Sequence, residues 1–175
     1  MSALAAGFPP DLPAAVFVVL HTTTRPSALP EILARAGPLS VAAAADGGVI
    51  QGGHLYVAPA GHHSLVSRQH MHVVAGPREN GFRPAIDPLF RGASRAYGPR
   101  AIGVILSDML DDGTAGLLSI KRHGGLAVGQ DPDEAVAPSM PRSAIAYVDV
   151  DYMVSMAKMG PLLGRLAREL GQRKE

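Results

Sequence analysis

Short continuous apolar runs alternate along this chain with apolar positions spaced for helices. Residues 14–20 (AAVFVVL) form a valine-rich run ended by His21, which predicts a strand buried on both faces of a parallel sheet. Three threonines and Arg25-Pro26 break the chain, and Leu29, Ile32 and Leu33 then predict a short helix that stops at Gly37-Pro38. Between residues 41 and 74 the pieces HLYVA, SLVS and MHVV are separated by glycine-bearing turns and read as a β-rich insertion. Pro84 suits a helix's first turn, and Ile86, Leu89, Phe90, Ala93 and Tyr97 recur at helical spacing up to Gly98-Pro99. Residues 101–107 (AIGVILS) predict a second buried strand. Asp111-Asp112-Gly113, a helical pattern over 114–123, the Gly124-Gly125 stop and a third strand over 126–130 follow. Met153, Met156, Met159, Leu162, Leu163, Leu166 and Leu170 form a last apolar stripe, interrupted at Gly160-Pro161.

Strands alternating with helices predict an α/β fold: a doubly wound, mostly parallel sheet with helices on both faces, three layers αβα, and a β-hairpin insertion. A length of 175 residues fits one domain, and 47% hydrophobic against 18% charged residues is a globular balance. A net charge of +1, with both signs mixed along the chain, offers no stripe for nucleic acid or anionic membranes. With no cysteine there is no disulfide, thiolate catalysis or Cys-based zinc site. No signal-like start and no membrane-length apolar run occur, so a soluble, cytoplasmic protein without membrane insertion is expected.

In open parallel sheets, ligand sites form beyond the carboxyl ends of the strands. His21 ends one buried strand, and Asp112 lies in the loop after another, just before a helix. A histidine held in one tautomer by a carboxylate can take a proton from a serine hydroxyl, which makes this pair a candidate catalytic site. The plainer alternative is a core histidine at a strand end and a turn aspartate that caps the helix at Thr114. No serine stands in a glycine-flanked strand-to-helix turn: Ser2 has no strand before it, Ser27 lies beyond a loop, and Ser107 ends a strand without flanking glycines.

His54, His62, His63, His70 and His72 crowd one stretch, but exposed strand histidines are commoner than metal clusters, and no metal is expected. Asp108, Asp111 and Asp112 have the wrong spacing for a calcium loop, with Leu110 and Ser119 at ligand positions. No cofactor is implied. The methionine stripe reads as core packing rather than a grip for a partner helix.

From Leu12 almost to the C-terminus, the chain resembles the catalytic domain of the CheB family of chemotaxis protein-glutamate methylesterases. The resemblance rests on AVFVVLH (residues 15–21), ADGGVIQGGHLYVAPAGHH, RPAIDPLF (83–90), GVILSDMLDDGTAG (103–116) and PSMPRSA (138–144), in matching order and spacing. It implies hydrolysis of glutamate methyl esters on chemoreceptors with release of methanol, and deamidation of particular glutamines, through a Ser-His-Asp triad. The family's histidine and aspartate positions match His21 and Asp112, and its oxyanion loop suggests a role for the backbone amide of Met109.

Three departures qualify this likeness. MSALAAGFPPDLP resembles the last turns of the helix that follows the family's nucleophile, so the first strand, its G-A-S-x-G-G-type turn and the serine are expected to be missing from these 175 residues. Asp108 stands where the family commonly has glycine, and a left-handed backbone there would strain it. No receiver domain is expected. Two functional readings follow: an esterase whose serine lies on a segment outside this sequence, or a non-catalytic receptor-binding or regulatory module that lost the nucleophile.

Overall fold

The computed structural model describes residues 1–21, 27–108 and 110–172; the break expected at 22–26 and the Met109 amide lie outside them. In chain order the elements are α1 (Ser2–Ala6), β1 (Val16–Val18), α2 (Leu29–Ala36), β2 (Ser40–Ala43), β3 (His54–Val57), β4 (His63–Val66), β5 (Met71–Val74) and α3 (Ile86–Tyr97). After a single 3-10 turn at Gly98–Arg100 come β6 (Ile102–Ile105), α4 (Thr114–Arg122), β7 (Leu126–Gln130), α5 (Ser139–Tyr147), β8 (Tyr152–Val154) and α6 (Met156–Gln172). No helix among the described residues is long and apolar enough to cross a membrane.

The strands form two parallel three-stranded sheets, ordered β1-β3-β2 and β6-β7-β8, and an antiparallel hairpin, β4-β5. Side chains of a strand alternate between faces, and the core follows that alternation. Val128, Ile102 and Val104 pack with Leu4 of α1, Leu33 of α2 and Met159 and Leu166 of α6. Ala127 and Ile105 point the other way, into Phe90 of α3, Leu117 and Ile120 of α4, and Met140 and Ala144 of α5. Helices therefore cover both faces, as expected of an α/β fold with apolar strands. Each fully buried leucine or isoleucine here contributes about 1.5–3 kcal/mol.

Several elements differ from the sequence-based expectation. The β-rich stretch from 41 to 74 is not one insertion, because β2 and β3 lie parallel beside β1 and only β4 and β5 make a hairpin. Short apolar strands look alike in sequence whether their partners run parallel or antiparallel. Met153 belongs to β8, and α6 starts only at Met156 and runs unbroken through Pro161. A proline removes one hydrogen bond. Beside it the end of α1 presses on the helix: a side chain on Gly160 would come within 2.5 Å of the Gly7 backbone.

The outer edges of β1 and β6 flank a cavity of about 230 Å³. Every residue from 14 to 20 lines it, facing the same space regardless of side-chain parity, together with Ile102, Val104 and Leu106 beyond it. Successive residues of one strand meet the same space only along its backbone edge. No pairing joins β1 to β6 among the described residues, so two strand edges confront each other across an apolar slot. At one end the slot is lined by Leu20, Ser107 and Asp108, next to His21 in the chain or in space.

Candidate active site

His21 lies just past β1, and the loop from β6 to α4 brings Asp108 and Asp112 to it. Its Nε2 is 2.7 Å from Asp112 Oδ2 and its Nδ1 is 2.8 Å from Asp108 Oδ2, so both ring nitrogens face carboxylates. Phe82 stacks on the imidazole with ring centres 3.6 Å apart and planes 13° from parallel. The pair predicted from strand ends is thus assembled.

Asp112 is fully buried, and four donors meet its carboxylate. Oδ2 accepts from His21 and from the Ile86 backbone N–H at 2.7 Å; Oδ1 accepts from Asn80 Nδ2 at 2.8 Å and the Asp87 N–H at 3.3 Å. The two backbone donors are the first N–H groups of α3, whose own N-cap residue, Ala85, has no side-chain acceptor. Asp112 therefore caps α3 from across the fold, where an anion also meets the positive end of the helix dipole. The plainer alternative from the sequence, a cap on the helix at Thr114, is not what forms: that helix, α4, is entered through Gly113 at φ 95°. A side chain there would be both strained and 2.6 Å from Ile105 Cδ1.

Asn80 and Asp87 extend the network. The same Asn80 amide nitrogen donates to Asp87 Oδ2 at 2.8 Å, and Asp87 Oδ1 accepts the Gly116 N–H at 2.6 Å, tying the start of α3 to α4. Burial raises the Asp87 pKa above its ordinary value, against the lowering effect of its hydrogen bonds from Gly116 and Asn80. Burial also pushes Asp112 upward, but bonds from His21, Ile86, Asn80 and Asp87 outweigh it and leave the pKa lowered. For His21, burial pulls the pKa down, and the hydrogen bond and charge of Asp112, reinforced by Asp108, leave it raised.

The expected strain at Asp108 is absent, since the non-glycine residues with positive φ among the described ones are Gln69, Asn80 and Leu110. The loop turns left-handed at Leu110, two residues on, where the side chain is exposed. None of the three weighed serines touches His21 through a hydrogen bond shown among the described residues. Ser107 Oγ exchanges bonds with the Ala137 backbone, Ser27 Oγ accepts the Leu29 N–H, and Ser2 sits in α1. The histidines of the β-rich stretch do not converge: His54 and His62 bond their own turns, His63 bridges Pro77 O and the Ala85 N–H, and His72 meets Ser67.

Asn80 and Phe82 were not singled out from sequence. Asn80-Gly81 is a turn signal, and the turn it makes, bridged between Glu79 and Phe82, delivers both residues to the site. Nothing in a single sequence says which way a turn's side chains point.

The chain is similar to proteins of known class. Protein-glutamate methylesterase/protein-glutamine glutaminase 1 of Caulobacter vibrioides is 35% identical over 164 residues, covering 91% of this chain and 48% of that protein. A protein of the same description from Anaeromyxobacter dehalogenans, numbered 5, is 36% identical over 169 residues, covering 94% of this chain and 47% of its own length. The chain therefore spans about half the length of these curated relatives. The crystal structure of the Thermotoga maritima CheB methylesterase catalytic domain superposes with a TM-score of 0.87 at 29% identity, covering 94% of this chain and 91% of that one. The family pattern described as CheB methylesterase matches residues 1–163, and the chain belongs to that family.

Proposed function

We propose that His21 and Asp112 are the base and orienting carboxylate of a protein-glutamate methylesterase that acts in the cytoplasm on methylated glutamates of chemoreceptors, with deamidation of glutamines as a related reaction. The hydroxyl nucleophile comes from a segment outside these 175 residues, seated in the slot between β1 and β6. One observation carries this reading: the His21–Asp112 bond of 2.7 Å stands at the end of a slot whose two strand edges have no partner among the described residues.

In the reaction, the nitrogen of a neutral His21 that does not face Asp112 takes the proton of the serine hydroxyl as its oxygen attacks the ester carbonyl. Asp112 holds the ring and stabilises the imidazolium that forms. Collapse of the tetrahedral intermediate returns that proton to the departing methoxide, releasing methanol and leaving an acyl-enzyme. Water, activated by the same histidine, then frees the glutamate carboxylate.

The test is methanol release from a methylated receptor cytoplasmic fragment, using the polypeptide purified from its native source and its His21→Gln variant. Release that disappears in the variant supports the reading. Equal release by both removes His21 from the mechanism, and receptor binding without any release leaves a non-catalytic receptor-binding module.

A further inference from the structure

A neutral imidazole has one N–H donor and one lone pair, whereas His21 offers its two nitrogens to two carboxylates, at 2.7 and 2.8 Å. With both carboxyl groups ionised, the two are satisfied together only by an imidazolium, which donates from both nitrogens, and turning the ring over leaves the same count. We propose that Asp108 is a positioning residue that holds His21 in its protonated form and closes the nitrogen the reaction needs, so that the site is at rest until Asp108 turns aside. The functional consequence rests on the methylesterase reading; the charge state does not.

The two carboxylates are unequal. Asp112 is fully buried and bound by two backbone N–H groups and Asn80, so it cannot leave without uncapping α3. The Asp108 side chain is 34% exposed, and its backbone is fixed separately, its carbonyl accepting the Met140 N–H at 3.2 Å. Asp108 thus stands at the solvent edge of the site, whereas Asp112 lies inside it. Phe82 covers a face of the ring, leaving the in-plane nitrogen positions as the ones that change partner. Of the other charged groups nearby, Asp87 is reached only through Asn80, and Arg83 Nη1 donates to the Gly76 carbonyl at 2.8 Å. The raised pKa of His21 agrees with two anionic neighbours.

The experiment is an NMR titration of the imidazole nitrogens in the 175-residue protein, with His21 assigned from His21→Gln, compared with Asp108→Asn and Asp108→Ala. The wild-type midpoint is expected above that of an ordinary histidine and is expected to fall in both variants, with the remaining proton on the nitrogen facing Asp112. Equal midpoints in folded wild-type and variant proteins overturn the proposal. Should either variant unfold, the Asp108 carboxyl carbon of the wild type decides. A carboxyl signal that steps with the His21 midpoint supports the contact, and one insensitive to it overturns the contact. No ester or nucleophile enters this measurement, so it can fail while the methylesterase reading stands, and the reverse.

Discussion

The two ends of the His21 neighbourhood are built differently. Around Asp112, donors from α3, the Asn80 turn and His21 fill both carboxylate oxygens. Along the slot between β1 and β6, two strand edges and a cavity of about 230 Å³ have no strand between them. The first region is held by hydrogen bonds among its own residues; the second is an apolar slot between two strand edges that do not pair among the described residues. On the function proposed above, His21 and Asp112 are the proton-handling half of a hydrolase site, and the slot is where the nucleophile's segment would sit.

The largest break in that contrast should come from Asp112→Ala, which strands His21 and two helix N–H groups and is expected to cost about 3–5 kcal/mol in urea unfolding. A cost below ~1 kcal/mol would mean that the network is not the anchor described. Asn80→Ala removes a donor shared by two buried carboxylates and should cost about 1–3 kcal/mol by the same measurement.

A matched pair of valine-to-threonine changes compares packed sheet with slot. Val128→Thr places a hydroxyl at a fully buried position of β7 and should cost about 1–3 kcal/mol, whereas Val104→Thr, at a half-buried core position that also lines the slot, should cost less, about 0.5–1 kcal/mol. Equal costs would indicate that the slot is as tightly filled as the rest of the sheet.

The smallest effect is in pH dependence. The native His21 pKa is raised, so its contribution to stability is complete below the unfolded value of 6.5 and fades as pH rises through the native value. The native Asp112 pKa is lowered, so its contribution is complete above 3.8 and is lost as pH falls through its native value. Asp87 opposes Asp112: its raised pKa disfavours the ionised native state and relaxes on acidification. His21→Gln should flatten the alkaline limb of a stability-versus-pH curve and leave any limb due to Asp87 in place.

Much of this was legible in the sequence. The buried strand over 126–130, the helix over 114–122 and the pairing of His21 with Asp112 follow from apolar runs, glycine stops and strand-end placement. Strand β8 was hidden because its three residues, Tyr152–Val154, merge with the methionine stripe that follows. Helix α5 was hidden because Pro141 lies inside it and its flanks carry no clear stop. The Asn80 and Phe82 contacts depend on how a turn folds back over α3. The contact of Asp108 with His21 depends on side-chain direction, where the sequence raised only a calcium loop and backbone strain.

The most direct measurement is labelling of the natively purified polypeptide with diisopropyl fluorophosphate, followed by peptide mapping. The account predicts a phosphorylated serine outside residues 1–175, with labelling lost in His21→Gln. A label on Ser107, Ser27 or any other serine of these 175 residues would contradict it.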